Sequence, residues 1–311
     1  MEAMTIDSVH PRHILLVDDM SADQIKDIFV RAAQFKEKGF TSSRILDSEP
    51  GNAPLVALAF FEPSTRTRLS FDAAAQRIGC NTIGFDNPEL TSSAKGEQLQ
   101  DTLRVIEQYA DAIVVRRKEH QTIDIIRNHV SVPVISAGVG AQEHPTQALL
   151  DIFTIQEHRD VDSVHHVASY GDLVNSRTMI SQVRLLAREG ITLSFIAPEG
   201  MQITGTFRSE LEARGANVIT TDNLDEVIAD VDVLHVIRPQ RERWEGQDYN
   251  AYAPVDASVM SSMKSDALVL HALPRTGELD PEIDSDPRNV IFEQVRNGMY
   301  IRAALLEWLL S

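Results

Sequence analysis

The chain carries a single cysteine, Cys80, in 311 residues. No intrachain disulfide can form from one thiol, and no metal site built on several cysteines is available. A lone thiol suits a reducing compartment, so a cytoplasmic location is expected. Basic residues are also few: 29 Lys and Arg stand against 46 Asp and Glu, a formal charge of −17. Nucleic acid is therefore not expected as a partner, because a phosphate backbone needs a basic face. No apolar run reaches membrane-spanning length, so no membrane association is expected. Met1 to Pro11 holds acidic residues without an apolar centre and is not expected to act as a signal peptide. Internal repeats, low-complexity tracts and flexible linkers are absent. With 43% hydrophobic residues the composition is that of an ordinary globular protein, long enough for two domains.

Glycine is missing from the most informative stretch, Phe60-Phe61-Glu62-Pro63-Ser64-Thr65-Arg66-Thr67-Arg68-Leu69-Ser70. A Walker loop or a dinucleotide turn uses glycines to bring backbone close to phosphate, so neither is present here. Leu55 to Phe61 is an unalternating apolar run, the pattern of a buried parallel strand. Leu69, Phe71, Ala74, Ala75 and Ile78 follow at helical spacing up to Gly79, a C′ glycine. Ser64 to Arg68 is thus expected where a strand hands over to a helix N-terminus, with free N–H groups and the positive end of the helix dipole. Three hydroxyls and two guanidiniums add side-chain donors, and guanidinium matches phosphate as a bidentate fork. The competing reading is a capped helix with two solvated arginines. The rest of the chain favours the anion site.

Strands and helices alternate throughout. Ser21 with Gln24 forms a capping box for a helix that ends near Gly39, and His13 to Val17 reads as a short strand or an extended lead-in. Thr82 to Phe85 is a strand, Asn87 to Gly96 a polar loop that holds Lys95, and a helix follows from about Glu97. Asp111 to Val115 is a strand that ends on Arg116 and Arg117. Strand carboxyl ends are where open α/β sheets bind ligands, which singles out Arg116. After a helix from Ile123 to His129 and a strand from Val132 to Ser136, the loop Gly138-Val139-Gly140 leads to Glu143-His144-Pro145-Thr146-Gln147. Pro145 suits the first helical position, so His144 falls at the N-cap and Gln147 in the first turn of a helix to about His158.

The second half repeats the rhythm. Strands are expected at His166–Tyr170, Leu193–Ala197, Asn217–Thr220, Val231–Ile237 and Ala267–Leu270. Helices are expected at Met179–Ala187, Gly205–Ala213, Leu224–Ala229 and Ile301–Leu310. Arg177 follows the first of these strands, Arg238-Pro239-Gln240-Arg241 the fourth, and His271-Ala272-Leu273-Pro274-Arg275 the last. The expected fold is α/β with two domains, each a mainly parallel sheet flanked by helices, and an active site in the inter-domain cleft. No His, Asp or Glu cluster has metal-ligand spacing, so no metal and no cofactor is expected.

Ser64-Thr65-Arg66-Thr67-Arg68, His144-Pro145-Thr146-Gln147, Gly171-Asp172-Leu173 with Arg177, and His271-Ala272-Leu273-Pro274-Arg275 together resemble the aspartate/ornithine carbamoyltransferase family. The resemblance runs from about His13 to the C-terminal helix. It implies a carbamoyl-phosphate-binding domain over 1–150, completed by a helix at 297–311, and an amino-acid-binding domain over 151–296. It also implies a homotrimer whose active sites are shared between subunits. Whether a regulatory chain or a dihydroorotase also binds is left open. Ornithine enzymes of the family carry Ser-Met-Gly and His-Cys-Leu-Pro segments, where this chain has Arg238-Pro239-Gln240 and Ala272. An arginine suits a second carboxylate and repels an ammonium group, so carbamoyl phosphate and L-aspartate are the implied substrates.

The resemblance gives each residue a role. Ser64, Thr65, Arg66, Thr67 and Arg116 would hold the phosphate; Thr67, Arg116 and His144 would face the carbonyl oxygen; Gln147 would hold the carbamoyl NH2. Arg177 would take the α-carboxylate and Arg238, Gln240 and Lys95 the side-chain carboxylate, with backbone contacts from Leu273 and Pro274. Lys95 would reach in from a neighbouring subunit, accompanied by one of Thr91, Ser92 and Ser93.

Overall fold

The computed structural model describes residues 13–43, 45, 52–87, 89, 91–119, 121–140, 143–160, 163–241 and 252–311. The expected character of Met1 to Pro11 lies outside them. The chain divides into two compact units, Met1–Gly140 with Arg302–Ser311, and Ala141–Ile301.

In the first unit, helix α1 (Ala22–Lys38) starts at the expected capping box: Ser21 Oγ accepts the Gln24 N–H and Gln24 Oε1 accepts the Ser21 N–H. Four parallel strands follow, β1 (Leu55–Phe60), β2 (Asn81–Phe85), β3 (Ala112–Arg117) and β4 (Val134–Val139), in the order β2-β1-β3-β4. Helix α2 (Thr65–Arg77) links β1 to β2; α3 (Leu99–Ile106) precedes β3 and α4 (Thr122–His129) precedes β4. The central strands β1 and β3 are buried over nearly their whole length, which is why their sequences do not alternate. Ala57, Ala59, Ile113 and Val115 pack against Leu99, Leu103, Ile123 and Ile126 of α3 and α4.

Two expectations here are corrected, and the open choice at His13 to Val17 falls to an extended lead-in. Leu69 is 57% exposed. It stands two residues from Phe71, about 200° around a helix, whereas Thr67, Phe71, Ala74, Ala75 and Ile78 share one face and are buried. The lead-in at 13–17 makes only a single bridge, Ile14 to Ile135. The Asp19 carboxylate then accepts the Leu15 and Leu16 N–H groups and curls the chain into a 3-10 turn. Strand β4 runs on to Val139 rather than stopping at Ser136, through an irregular register opposite Val115 and Arg117.

The second unit opens with α5 (Pro145–His158) and builds a five-stranded parallel sheet from β5 (His166–Gly171), β6 (Thr192–Ile196), β7 (Asn217–Thr221), β8 (Val233–Ile237) and β9 (Leu268–His271), in the order β7-β6-β5-β8-β9. Helices α6 (Arg177–Leu186), α7 (Gly205–Ala213), α8 (Ala257–Ser262) and α9 (Ile291–Leu310) complete it, the end of α9 from Arg302 being counted with the first unit. One face of this sheet buries Val167, Phe195, Val233 and Leu270 with α6, and the other buries Ala168, Ile196, Val236 and Val269 with Met260 and Ile291. Each fully buried Val, Leu, Ile, Phe or Met side chain among these contributes about 1.5–3 kcal/mol relative to exposure.

Leu224 to Ala229, expected as a helix, is two 3-10 turns, Leu224–Glu226 and Ile228–Asp230. Asn223 Oδ1 accepts the Asp225 N–H and caps the first of these turns. The C-terminal helix starts at Ile291, ten residues before its expected Ile301; its first turns lack an apolar pattern because two of their buried residues are polar, Gln294 at 1% and Asn297 at 0% exposure, while Phe292 and Val295 face out. A buried stripe with amides in it does not read as hydrophobic.

His235 of β8 is fully buried, with Nδ1 2.6 Å from Gln182 Oε1, so Nδ1 carries the ring proton. Burial, reinforced by nearby His271, lowers its pKa from 6.5 to about 3. Between those values the unfolded chain binds the extra proton, so stability is full above pH 6.5 and falls as the pH drops towards 3. Denaturant titrations at pH 7 and pH 4 should show the wild type losing about 3 kcal/mol more than His235→Gln over that interval. Equal losses in the two proteins would remove His235 as the cause.

Candidate active site

The first unit gathers its polar groups where β1 and β3 end. Phe60 and Arg116 are register partners, and the Phe61 N–H donates to the Arg116 carbonyl at 2.8 Å. That pairing brings the end of β1, which leads into the Ser64–Arg68 turn, beside the end of β3. Ser64 is the N-cap of α2 in extended conformation, and its hydroxyl makes no capping bond. Thr65 and Arg66 are exposed, Ser64 is half-buried and Thr67 is buried. The first-turn N–H groups of α2 have no intrahelical partners by construction, so donors and dipole favour an anion at this end. Arg68 is turned towards Asp86, at 3.7 Å.

Arg116 is oriented from two sides. Its Nη1 donates to the Ala137 carbonyl of β4 at 3.2 Å, and its Nε lies 3.0 Å from Glu62 Oε1, a charge contact not aligned as a hydrogen bond. Glu62, 7% exposed, is a partner that residue spacing does not single out although it precedes the Pro-Ser-Thr run directly. Lys95 ends a short 3-10 turn, Ser92–Lys95, and is exposed.

In the second unit Pro145 occupies the first turn of α5 and His144 is its N-cap, as expected. His144 is buried; its N–H donates to Ser181 Oγ of α6 at 2.7 Å, and its Nδ1 lies 3.4 Å from Thr146 Oγ1. The preceding residue, Glu143, accepts from Arg184 at 2.6 Å, so α6 holds the His144 segment at two points. Burial opposes the charge on Arg184, but its bonds to Glu210 and Glu143 outweigh that and raise its pKa.

Arg177, expected just before a helix, is the first residue of α6 and is buried to 8% exposure. Ser176 caps that helix through its hydroxyl. Strands β5 and β8 are neighbours, with Gly171 opposite Ile237, so the Arg177 turn and the Arg238 segment emerge side by side. Asp172, fully buried, ties them: Oδ2 accepts the Gln240 N–H and Oδ1 accepts the Asn175 side-chain amide, while Gln240 Nε2 donates to the Asn175 carbonyl.

The segment after β9 is held by a buried carboxyl and imidazole. His271 Nδ1 accepts the Leu273 N–H at 2.8 Å, so its proton sits on Nε2, 2.7 Å from Glu278 Oε1. Glu278 Oε2 takes the Thr276 N–H and hydroxyl. Burial pushes the Glu278 carboxyl up, yet these bonds hold it below the ordinary carboxylate range. Leu273 has φ 53, a left-handed conformation that costs a non-glycine residue about 1–2 kcal/mol, and the His271 contact secures it. Cys80 is buried, and its thiol is pushed up to about 12, mainly by burial, which makes it inert.

Among the described residues no group of His, Cys, Asp and Glu could hold a metal ion, and no helix is long and apolar enough to cross a membrane. The two parallel-sheet units, with hydroxyls, guanidiniums and amides collected at their strand ends, define an α/β protein whose strand ends suit anionic ligands.

Two family models match in sequence: the aspartate/ornithine carbamoyltransferase carbamoyl-P binding domain over residues 12–157, and the Asp/Orn binding domain of the same family over residues 164–309. The chain therefore belongs to the aspartate/ornithine carbamoyltransferase family. It is 41% identical to the aspartate carbamoyltransferase catalytic subunit of Methanoculleus marisnigri and 37% identical to that of Methanospirillum hungatei, in both cases covering 94% of this chain and 98% of the relative. It also superposes on aspartate transcarbamoylase from Trypanosoma cruzi in complex with carbamoyl aspartate and phosphate, with a TM-score of 0.89, 32% identity and full coverage of both chains.

Proposed function

We propose that this chain is an aspartate carbamoyltransferase: it transfers the carbamoyl group of carbamoyl phosphate to the amine of L-aspartate. A bond forms between the amine nitrogen and the carbonyl carbon, the bond from that carbon to the phosphate oxygen breaks, and the departing phosphate takes the amine proton. The products are N-carbamoyl-L-aspartate and phosphate, in de novo pyrimidine (UMP) biosynthesis in the cytoplasm. Ser64, Thr65, Arg66, Thr67 and Arg116 hold the phosphate. Thr67, Arg116 and His144 stabilise the carbonyl oxygen as it gains charge, and Gln147 receives the carbamoyl NH2. No side chain has to act as a general base, so the protein orients the reactants and stabilises charge. The active unit is a homotrimer in which Lys95 completes a neighbour's site.

The observation that carries the choice of aspartate is the pairing of the Arg177 turn with the Arg238-Pro239-Gln240 segment through Asp172. Two guanidiniums on adjacent strand ends match two carboxylates, whereas the side-chain ammonium of ornithine would meet a like charge. Purified protein given carbamoyl phosphate should carbamoylate aspartate and leave ornithine untouched. Arg238→Ala should raise the KM for aspartate by at least about 30-fold, since a desolvated carboxylate loses its partner, with carbamoyl-phosphate affinity unchanged. Faster carbamoylation of ornithine than of aspartate would overturn the assignment within the family.

A further inference from the structure

Gln147 and Asp151 stand four residues apart on α5, and Gln147 Nε2 donates to Asp151 Oδ1 at 2.8 Å. The same oxygen receives a second amide, Gln294 Nε2 of α9, at 2.6 Å. Gln294 Oε1 in turn accepts the His271 N–H at 3.0 Å, and His271 Nδ1 accepts the Leu273 N–H. Asp151 is 0% and Gln294 1% exposed, so water does not compete for these bonds. Chemistry settles the direction of both amides. A backbone N–H must meet the oxygen of Gln294, and a carboxyl oxygen must meet its nitrogen. Gln147 donates an N–H to Asp151, which fixes the end of its amide that meets the carboxylate and leaves Oε1 as the acceptor it can offer to a ligand.

We propose that Asp151 is a positioning residue: it sets the Gln147 carboxamide oxygen-outward, so that this position accepts from an NH2 group, and Gln294 ties the setting to the His271–Leu273 turn. The inference rests on the reading above that Gln147 meets the carbamoyl NH2. Were the Gln147 amide free to turn, it would offer its own NH2 half the time, donor against donor. An acyl phosphate with a methyl group in place of NH2 cannot profit from the acceptor. The Asp151–Gln147 pair therefore separates carbamoyl phosphate from acetyl phosphate, while the phosphate-holding groups bind both.

Calorimetric titration with carbamoyl phosphate, acetyl phosphate and inorganic phosphate tests this directly. The wild type should bind carbamoyl phosphate about tenfold more tightly than acetyl phosphate, the worth of one well-made hydrogen bond in a desolvated site. Asp151→Leu should erase most of that ratio while acetyl phosphate and phosphate stay within about twofold of wild type. In a Gln147→Ala background the same substitution should cost nothing further in the ratio, because Asp151 acts only through Gln147. Should Asp151→Leu not fold, Asp151→Ser, which leaves room for a water, carries the same titrations. Gln294→Leu should raise the KM for aspartate with carbamoyl-phosphate affinity retained. Equal weakening of all three anions, an unchanged ratio, or a further loss in the Gln147→Ala background each overturns the positioning role. A wild type that carbamoylates aspartate but does not prefer carbamoyl to acetyl phosphate refutes both the role of Gln147 and that of Asp151, and failure of wild-type turnover refutes the parent reading itself.

Discussion

Arg66→Ala is expected to lower kcat/KM by about 10²–10³-fold or more, the range seen when one preorganised donor is removed from a developing anion, and to remove measurable carbamoyl-phosphate binding at millimolar ligand. Arg66 is exposed at the first turn of α2, where it contributes nothing to the apolar face formed by Phe71, Ala74 and Ala75. Folding should therefore be indifferent to the change. Circular dichroism and the thermal midpoint should match wild type, as expected for a surface substitution, while calorimetry with carbamoyl phosphate and with inorganic phosphate should both go flat. The N-terminal N–H groups of α2 remain in the variant, and with Thr65 and Ser64 they still favour an anion. They lack the fork that Arg66 supplies. Normal affinity in the variant would remove Arg66 from the phosphate site.

Mixing two inactive variants should restore activity. Lys95 is exposed on the Ser92–Lys95 turn, within a polar segment short of apolar side chains to anchor it. In the proposed trimer that loop serves the neighbour's site. Arg66→Ala and Lys95→Ala then damage a site from opposite sides of an interface, and each pure trimer should be inactive. Random exchange of subunits in equal amounts places an intact Arg66 beside an intact Lys95 at about one site in four, because a mixed cyclic trimer has one such junction of three. Activity should return to about a quarter of wild type, at the rate of subunit exchange. Hybrids of verified mixed composition that stay inactive would confine Lys95 to its own chain. A single-chain role for Lys95 would also show as full activity loss in Lys95→Ala that no mixing relieves.

The expected elements that hold in the structure are those whose signal is local. The capping box at Ser21 and Gln24, Pro145 in the first turn behind His144, and the buried strand ahead of Ser64 each depend on a few adjacent residues. Expectations fail where a residue's face is decided by something distant. Leu69 has the right identity for a core and sits on the wrong side of α2; Gln294 and Asn297 have the wrong identity for a core and are buried in it. Element ends shift for the same reason: β4 continues to Val139 because β3 is beside it to pair with.

The sequence by itself determined the order of the nine described strands, the absence of an intrachain disulfide, and which strand ends and helix N-termini carry cations, hydroxyls and amides, since these follow from residue identity and spacing of two to four positions; it did not mark α8 or the 3-10 turns at 224–230. Only the tertiary structure decided how those side chains are held. Glu62 approaches Arg116 across adjacent strand ends, Asp172 joins segments 68 residues apart, and Asp151 meets Gln294 across 143 residues of chain. A hydrogen bond depends on separations of about 3 Å, and no spacing rule carries that distance across so long a stretch of chain. The partners that orient the candidate site therefore became visible only once the sheet registers and helix rotations were known.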